Sequence, residues 1–350
     1  MAKIHFTDVG IKAVAACVPK NVQHTSELSY LLSEKEIQNL ENIVGIKSKR
    51  IADENICSSD MCFEAAKVLF EDNNIEPSSI DVLLFMSKTP DYIVPTTSTV
   101  LQEKLGLSKH AVCMDLRGGC AGYIQALSIA YMYASMPEIN RVLILNGDTL
   151  TKIVSKNDKA TTPIFGDGGA ATIVEKGDYG ESWFEMGSDG KDAQVIIVPA
   201  SVAGRNNVTP ESFTEKTDEN GNSRNALQIE MNGMNVFSFA ISAVPKSIKE
   251  TLEYAGKQSE DIDLWLIHQA NEFIIKTIVK KMKIVPEKVP VNIDRFANTT
   301  HVSIPLLLAS ERGGKIVNAR TLMTGFGSGL AWASAIVNLQ NTKISKLIEL

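Results

Sequence analysis

The feature that most constrains how this chain can fold is an internal repeat. Residues 79–86 and 261–268 share one pattern, in which Ile-Asp leads directly into a short apolar run. Farther along, residues 115–120 match 294–299, and both stretches begin with an aspartate. Repeated units of this kind are stable because neighbouring copies stack and bury a shared core. The repeat therefore predicts two equivalent halves that pack around a pseudo-twofold axis.

Short apolar strands alternate with helical segments in both halves, which is typical of α/β layers with largely parallel pairing. We place the halves at 1–176 and 177–350, and we expect a mobile surface insertion at 201–225, which is rich in Asn, Gly, Ser and Thr. The predicted strands cover residues 4–18, 82–86, 111–115, 142–145, 170–174, 182–198, 263–268, 289–293, 319–325 and 331–338. The predicted helices include residues 26–42, 232–255, 271–282 and 303–312.

Composition and charge exclude several classes of protein. The chain of 350 residues is 44% hydrophobic and 22% charged, and its net charge of −6 offers no basic surplus for nucleic acid. No apolar run reaches the roughly 18 residues that a membrane-spanning helix needs. The five cysteines are odd in number and lie within the first 120 residues, which indicates a reducing compartment, the cytoplasm. Cys57 and Cys62 lack a second pair at metal-ligand spacing, so no metal site is predicted.

One of the cysteines, Cys120, stands at a glycine-rich turn. The apolar run 111–114 leads into this turn, and a helical pattern of apolar residues begins at Tyr123. A cysteine in such a turn lies at the positive end of a helix, where its pKa falls and more of it is thiolate at neutral pH. The thiolate is the form that acts as a nucleophile. The alternative is a structural cysteine, since cysteine is among the most buried residue types.

The repeat brings two further chemical groups toward this cysteine. Cys120 and Asn298 fall at equivalent helix starts, and His268 ends the strand that matches the one ending at Met86. We therefore expect a thiol, an imidazole and an amide to converge, a set that suits acyl transfer through a thioester. The Nε2–H of His268 and the Asn298 amide could bond a thioester carbonyl oxygen as it gains negative charge.

A second set of donors comes from the glycine-rich turn at 325–329. Its backbone N–H groups, with that of Ser328 foremost, could bind an oxyanion. The backbone N–H of Cys120 would be the other half of this oxyanion hole.

Five motifs in a fixed order span nearly the whole chain. They are Asp115 with Gly119-Cys120-Ala121-Gly122, Phe165-Gly166-Asp167-Gly168, His268-Gln269-Ala270-Asn271, Asn298-Thr299 and Gly325-Phe326-Gly327-Ser328-Gly329. In these motifs the chain resembles the β-ketoacyl-(acyl-carrier-protein) synthase III family of the thiolase-like superfamily. The resemblance implies a thiolase-like αβαβα five-layered fold and a homodimer. It also implies Cys120 as the nucleophile, and His268 with Asn298 as the pair that supports decarboxylation.

Some positions depart from the family members that are primed by acetyl-CoA. Asn39 and Ile43 stand where those members carry a tryptophan and an arginine that hold the adenine, and Lys159 stands where they carry an arginine. The acyl donor is therefore expected to be an acyl-carrier protein, or coenzyme A held in a different way. Both are substrates, so no bound cofactor is expected.

Three further residues are singled out by the resemblance. Val94 falls where the family reaches an apolar side chain into the partner subunit's acyl pocket, and its small size suits a longer or branched acyl group. Lys280 and Lys281 match the family's basic patch for docking the acidic carrier protein, although Phe273 replaces an arginine there. A solvated helix face is the alternative interpretation of the two lysines.

These features predict an acyltransferase that forms an acyl-Cys120 intermediate. It would condense this intermediate with malonyl-carrier protein by decarboxylative Claisen chemistry, giving a 3-oxoacyl thioester for fatty-acid or related biosynthesis. One alternative is a specialised member that passes the acyl group to another acceptor, or condenses two acyl thioesters, in secondary metabolism or surface-glycan assembly. Another is a non-catalytic module that binds carrier protein, against which the intact Cys120, His268 and Asn298 argue.

Overall fold

The structure is a computed structural model that describes residues 2–202 and 204–350 of the chain. Its strands are β1 (Ala2–Val18), β2 (Val22–His24), β3 (Ser48–Arg50), β4 (Val82–Met86), β5 (Val112–Leu116), β6 (Arg141–Asp148), β7 (Gly168–Ser188), β8 (Ile196–Ile197), β9 (Lys216–Thr217), β10 (Ser223–Arg224), β11 (Glu230–Met231), β12 (Leu264–Ile267), β13 (Lys315–Gly327), β14 (Ala331–Ile344) and β15 (Ile348–Glu349). Its helices are α1 (Glu34–Asn39), α2 (Ser58–Asn73), α3 (Thr97–Lys104), α4 (Gly122–Ala134), α5 (Gly233–Ala255), α6 (Glu272–Met282), α7 (Ile293–Phe296) and α8 (Ser303–Arg312).

The long strands form two neighbouring sheets, and β1 and β7 run through both. In the first sheet the strand order is β5-β4-β6-β7-β1, which uses residues 168–176 of β7. In the second sheet the order is β12-β13-β14-β7-β1, which uses residues 181–188 of β7. The strands β4 and β12 pair in parallel with β6 and β13, respectively. The next strand pairs are antiparallel in both cases, so β4-β6-β7 and β12-β13-β14 share one pairing pattern.

Helices cover these sheets in three layers. The helices α4 and α8 lie between the sheets, where Leu127 and Leu307 join a core with residues of both. The outer face of the first sheet is covered by α2 and α3, and that of the second by α5 and α6. Because both faces are covered, strand β4 is buried at every position, as its continuous apolar sequence requires. The five-layered αβαβα fold class is confirmed.

The segment predicted as one helix at 26–42 is instead broken. A 3-10 turn covers Thr25–Tyr30, and α1 begins only after Ser33. The Ser33 hydroxyl accepts the Glu36 N–H, and the Glu36 carboxylate accepts the Ser33 N–H at 2.7 Å. This reciprocal capping box starts a new helix, so the prediction of a single helix was wrong.

The strand predicted at 289–293 is also wrong. Residues 289–292 are irregular, and α7 begins at Ile293. Pro290 has no N–H to donate to a neighbouring strand, which restricts proline to strand edges and starts. Val289 and Ile293 are nevertheless buried, so the apolar pattern reflects packing against neighbours.

The two predicted halves meet inside β7, because position 176 lies within this strand. The boundary stays a prediction, as does the mobility of the insertion at 201–225. Within that insertion, Ala203 lies outside the described residues. Arg224 ties the segment to the rest of the chain through an ion pair with Asp158 at 3.4 Å, and it also pairs with Asp218 at 3.0 Å.

Three structural observations concern the cysteines, the potential metal ligands and the helices. All five cysteines are free thiols. The described residues hold no cluster of His, Cys, Asp and Glu side chains that could bind a metal ion. Among the described helices, none combines the length and the apolar character needed to cross a lipid bilayer.

Candidate active site

Cys120 lies in the turn between β5 and α4, two residues before the helix begins at Gly122. It is buried, with 8% of its surface exposed. The nearby Asp115 caps α3, because its carboxylate oxygens accept the N–H groups of Thr97 and Ser98, both at 2.8 Å. The aspartate of this motif therefore has a structural role, which leaves the cysteine as the candidate chemical group.

Burial raises the pKa of the Cys120 thiol above its ordinary value. The positive charge of Lys88 lowers this pKa, and the negative charge of Asp148 raises it further. The lowered pKa that the helix start predicted was therefore wrong. A thiolate would lose its hydration in this enclosed turn, and that penalty exceeds the favourable field of the helix. The resting thiol is expected to be protonated and to lose its proton as it reacts.

The glycine-rich turn at 325–329 packs directly against Cys120. A side-chain carbon added at Gly327 would lie 3.0 Å from the Cys120 Sγ, and one added at Gly325 would lie 2.7 Å from the Cys120 carbonyl oxygen. A carbon added at Gly119 would in turn lie 3.0 Å from the Ser328 backbone nitrogen. Glycine is needed at these positions because only the absence of a side chain lets two backbones approach so closely. The backbones of Cys120 and Ser328 thus belong to two turns in contact.

Gly327→Ala is expected to slow the reaction of Cys120 about tenfold, because small displacements of a reacting atom are costly. The added methyl group would lie 3.0 Å from the sulfur, which is closer than van der Waals contact, so the thiol must move. The measurement is the rate at which iodoacetamide alkylates Cys120, followed by peptide mass spectrometry, together with the melting temperature.

Gly190→Ala is the matched control for this variant, because no atom lies within 4 Å of a carbon added at Gly190. Its alkylation rate should equal that of the wild type. A folded Gly327→Ala protein that reacts at the wild-type rate would contradict the close contact between the two turns.

His268 directly follows β12 and has 1% of its surface exposed. Its Nδ1 atom lies 2.7 Å from the hydroxyl oxygen of Ser303, at the start of α8. Burial lowers the pKa of His268 to about 3, and the nearby Lys88 and His301 side chains act in the same direction. The imidazole is therefore neutral near pH 7, with one nitrogen as a donor and the other as an acceptor.

The remaining residues of the His268 motif hold the surrounding elements in place. Gln269 donates from Nε2 to a carbonyl of β12 at 2.8 Å and accepts the Asn292 N–H at 3.1 Å. Asn271 caps α6, since its side-chain oxygen accepts a first-turn N–H at 2.7 Å. The motif thus combines one candidate chemical group with two structural amides.

Asn298 lies in the irregular segment between α7 and α8 and has 6% of its surface exposed. Its N–H donates to the Ile164 carbonyl at 2.9 Å, and its carbonyl accepts the Gly166 N–H at 3.1 Å. Its side-chain oxygen accepts the Thr300 N–H at 2.8 Å. Because this oxygen is occupied, the amide NH₂ is the part of the side chain that remains to face a substrate.

Shared neighbours bring the thiol, the imidazole and the amide to one place. The glycine turn joins the first two, because Gly327 lies against the Cys120 side chain and the Phe326 ring meets the His268 ring edge-on at 5.4 Å. One short turn joins the last two, because the Thr300 N–H bonds to the Asn298 amide oxygen and the Ser303 hydroxyl, three residues farther on, lies against the imidazole. The three groups therefore border one buried region, and their chemical roles stay predictions.

Several polar residues around this region were not singled out from the sequence. Asp148 is buried, and its carboxylate accepts the Thr300 hydroxyl at 2.6 Å. The Lys88 ammonium lies 3.4 Å from the same carboxylate, and Ser303 contacts His268. Their position in the sequence could have identified two of them. Asp148 and Lys88 lie at the carboxyl ends of the neighbouring strands β6 and β4, where ligands bind in open α/β sheets.

The three positions that depart from acetyl-CoA-primed members lie in one groove. Asn39, Ile43 and Lys159 line a cavity of about 400 Å³ with a largely apolar wall. Ile164 also lines it, and its carbonyl binds the backbone of the site asparagine, so the groove ends beside the buried region. The charge of Lys159 is matched within the protein by Glu36, at 3.2 Å.

The other predicted residues lie on the surface. Val94 is 83% exposed in the loop before α3, so it lines no buried pocket of its own chain. Lys280 and Lys281 are exposed in the last turn of α6, and the Lys281 ammonium donates to the Ile241 carbonyl at 2.9 Å. Phe273, at the start of the same helix, is 48% exposed. Carrier-protein docking at the two lysines stays a prediction.

Sequence comparison finds relatives along almost the entire chain. The profile of 3-oxoacyl-[acyl-carrier-protein] synthase III matches residues 114–190, and the profile of its C-terminal part matches residues 252–339. The first range contains the cysteine, and the second contains the histidine and the asparagine. The β-ketoacyl-[acyl-carrier-protein] synthase III of Caldanaerobacter subterraneus is 32% identical over 333 residues, which cover 94% of this chain and 97% of the relative.

Solved structures are similar over the same extent. A 3-oxoacyl-(acyl-carrier protein) synthase from Burkholderia xenovorans superposes with a TM-score of 0.91 at 32% identity, covering 100% of this chain and 99% of the other. The β-ketoacyl-[acyl carrier protein] synthase III of Thermus thermophilus superposes with a TM-score of 0.81 at 34% identity, covering 94% of this chain and 98% of the other. The likeness therefore extends over both halves of the fold.

Proposed function

The chain belongs to the 3-oxoacyl-[acyl-carrier-protein] synthase III family, and we propose that it condenses an acyl group on Cys120 with a malonyl thioester. The observation that supports this best is the position of the buried Cys120 thiol. Its turn packs against the glycine-rich turn at 325–329, whose Phe326 ring meets the neutral His268 imidazole, and the Asn298 amide is oriented by the Thr300 N–H. Those groups match the two tasks of the reaction, which are acyl transfer to sulfur and stabilisation of an enolate.

In the first half-reaction the Cys120 sulfur attacks the carbonyl carbon of an acyl thioester. The bond between that carbon and the donor sulfur breaks, and the Cys120 proton ends on the departing thiol. The products are acyl-Cys120 and a free thiol. The backbone N–H groups of Cys120 and Ser328 would bind the oxyanion of the tetrahedral intermediate.

In the second half-reaction a malonyl thioester loses CO₂. The electron pair of the broken carbon–carbon bond passes into an enolate, whose oxygen accepts hydrogen bonds from His268 and Asn298. The enolate carbon then attacks the carbonyl of acyl-Cys120, and the carbon–sulfur bond breaks. A 3-oxoacyl thioester leaves, and the Cys120 thiolate takes up a proton.

Ser303 supports the donor role of His268. The Gln269 N–H donates to the Ser303 hydroxyl oxygen at 3.5 Å, and that hydroxyl lies 2.7 Å from Nδ1 of His268. A hydroxyl that donates to Nδ1 selects the neutral tautomer with its proton on Nε2. That Nε2–H is the donor that the enolate oxygen requires.

The groove beside the site favours an acyl-carrier protein as the donor. Coenzyme A carries phosphate groups that bind best to free cations, whereas Lys159 is already paired with Glu36. The phosphopantetheine arm of a carrier protein has one phosphodiester, at its attached end, and would present its uncharged pantetheine portion to the largely apolar wall. Acyl-CoA is the alternative donor.

Helix α6 is the surface that we propose for carrier-protein docking. It begins at Glu272, close behind His268, and ends in a turn where Lys280 and Lys281 are exposed. Carrier proteins are acidic, and a local basic patch steers such a partner even though the chain has a net charge of −6. The start of this helix lies beside the groove, because Glu272 packs against Gly45, which follows Val44 in the groove wall.

A second copy of the chain is the partner that we propose for the edge of the first sheet. Strand β5 is the last strand of that sheet, and Val112 on it is 43% exposed. The loop before α3 adds Tyr92, Ile93 and Val94, which are 57%, 62% and 83% exposed. An open strand edge next to exposed apolar side chains is covered in most proteins. A homodimer would cover both and would let Val94 line the partner's acyl pocket.

We place the protein in the cytoplasm. Its five thiols are free, and a reducing compartment keeps them in that state.

Intact mass spectrometry after incubation with a panel of acyl-CoAs and acyl-carrier proteins tests the proposed function. We expect one acyl group to be added per chain, on the peptide that contains Cys120. Addition of malonyl-carrier protein should then discharge the adduct and yield a 3-oxoacyl product. Protein alkylated beforehand with iodoacetamide is the control and should form no adduct.

The same experiment separates the alternatives. No adduct with any donor would contradict an enzyme and favour a module that only binds carrier protein. An adduct that malonyl-carrier protein does not discharge would favour a specialised member that passes the acyl group to another acceptor.

A further inference from the structure

A buried carboxylate beside the site has no part in the two half-reactions. Asp148 ends β6 and has 1% of its surface exposed. Its Oδ1 accepts the Lys88 N–H at 2.7 Å, and its Oδ2 accepts the Thr300 hydroxyl at 2.6 Å. A buried charge is costly unless it is paired and hydrogen-bonded, so basic side chains are expected beside this carboxylate.

Two basic side chains lie against this carboxylate. The Lys88 Nζ atom is 3.4 Å from the Asp148 Oδ2, and the His301 Nε2 atom is 3.1 Å from it. Burial works to raise the pKa of Asp148, but His301 and Lys88 outweigh it and hold the pKa below its usual range. The carboxylate is therefore ionised at neutral pH and is a strong hydrogen-bond acceptor.

The bond to the Thr300 hydroxyl matters because of the backbone at Thr300. Its φ is +57°, in the left-handed region that a β-branched residue rarely adopts. A conformation of this kind persists only where the surrounding contacts hold it. In this conformation the Thr300 N–H donates to the Asn298 side-chain oxygen at 2.8 Å. A chain of contacts thus runs from Asp148 through Thr300 to Asn298.

We propose that Asp148 and Thr300 are positioning residues for the decarboxylation step. Asp148 holds Thr300 in its left-handed turn, and Thr300 holds the Asn298 oxygen so that the amide NH₂ faces the substrate carbonyl. This inference rests on the proposed function, because it requires Asn298 to act on the malonyl thioester. Cys120 makes no contact in this chain and is affected by Asp148 only through its charge, which a change at Thr300 leaves in place, so acylation should not depend on the Thr300 hydroxyl.

Thr300→Val tests the inference, because it removes the hydroxyl donor and keeps the branched shape of the side chain. We expect CO₂ release from malonyl-carrier protein to slow about tenfold, as for a misplaced catalytic group. Acylation of Cys120, read by intact mass, should stay close to the wild-type rate. Thr300→Ser keeps the hydroxyl and is the matched control, with wild-type rates expected for both steps. Thr300→Ala removes the hydroxyl without the β-branch and replaces the valine variant if that variant does not fold.

A second background separates positioning from a general structural effect. In Asn298→Ala protein, Thr300→Val should cause no further loss of CO₂ release, because the residue through which it acts is gone. Equal losses in both backgrounds would overturn the inference, as would a parallel loss of acylation and CO₂ release. Wild-type protein that is acylated but releases no CO₂ would instead overturn the proposed function, so the two failures are distinguishable.

Discussion

Cys120→Ala is expected to abolish acylation and to lower the rate of condensation by about 10⁴-fold or more, because it removes the proposed nucleophile. The variant should still release CO₂ from malonyl-carrier protein, since His268 and Asn298 are unchanged. The measurements are the mass of the protein after incubation with an acyl donor, the 3-oxoacyl product and the CO₂ released. Retained decarboxylation also shows that the variant is folded around its site.

Cys113→Ala is the matched control, because Cys113 lies on the strand that leads to the same turn. Its thiol is half-buried and lies 3.7 Å from the Ala111 carbonyl oxygen, a structural contact. Condensation by this variant should match the wild type. Condensation by the Cys120→Ala protein would refute the acyl-cysteine intermediate.

In the wild type, alkylation of Cys120 should accelerate as pH rises from about 7 to 9. The reason is that burial raises the pKa of the thiol, so that more of the reactive thiolate forms as the pH increases.

The fold was largely predictable because it follows from a repeated local pattern. The strands predicted at 82–86 and 263–268 became β4 and β12, and the helix predicted at 303–312 became α8. Such elements depend on short runs of apolar residues, which the sequence displays directly. The wrong predictions came from single residues that change local preference. Pro290 lacks the backbone N–H that a strand in this apolar run would need. Ser33 starts a new helix within a segment whose sequence pattern is helical throughout.

The candidate site was predictable to a lesser degree. Cys120 and His268 could be identified because each lies at the end of a recognisable element. The pKa of Cys120 could not, because it depends on how much surrounding protein removes water from the thiol. The contact between Asp148 and Thr300 was equally hidden, because it joins residues far apart in sequence and exists only once the two halves have packed. Burial and long-range contacts are thus the features of the site that only the structure could show.

Asn298→Ala is expected to separate the two half-reactions. Acylation of Cys120 should continue close to the wild-type rate, whereas CO₂ release from malonyl-carrier protein should fall by about 10²–10³-fold, the typical effect of losing one oxyanion donor. This corresponds to about 2.7–4 kcal/mol of transition-state stabilisation. The reason is geometric, because the Asn298 side-chain oxygen is held by the Thr300 N–H and the amide NH₂ is left for the substrate. Intact mass reads the first step, and released CO₂ reads the second.

Asn298→Asp distinguishes a donor from a residue that only fills space. Aspartate has the shape of asparagine and can still accept the Thr300 N–H, but it presents a negative oxygen where the amide donor was. Decarboxylation should therefore fall at least as far as in the alanine variant, since a carboxylate repels the developing enolate. If the aspartate variant released CO₂ at the wild-type rate, Asn298 would be a packing residue and His268 alone would have to bind the enolate oxygen. A carboxylate that is tolerated for acylation and not for decarboxylation would assign the amide to the second half-reaction.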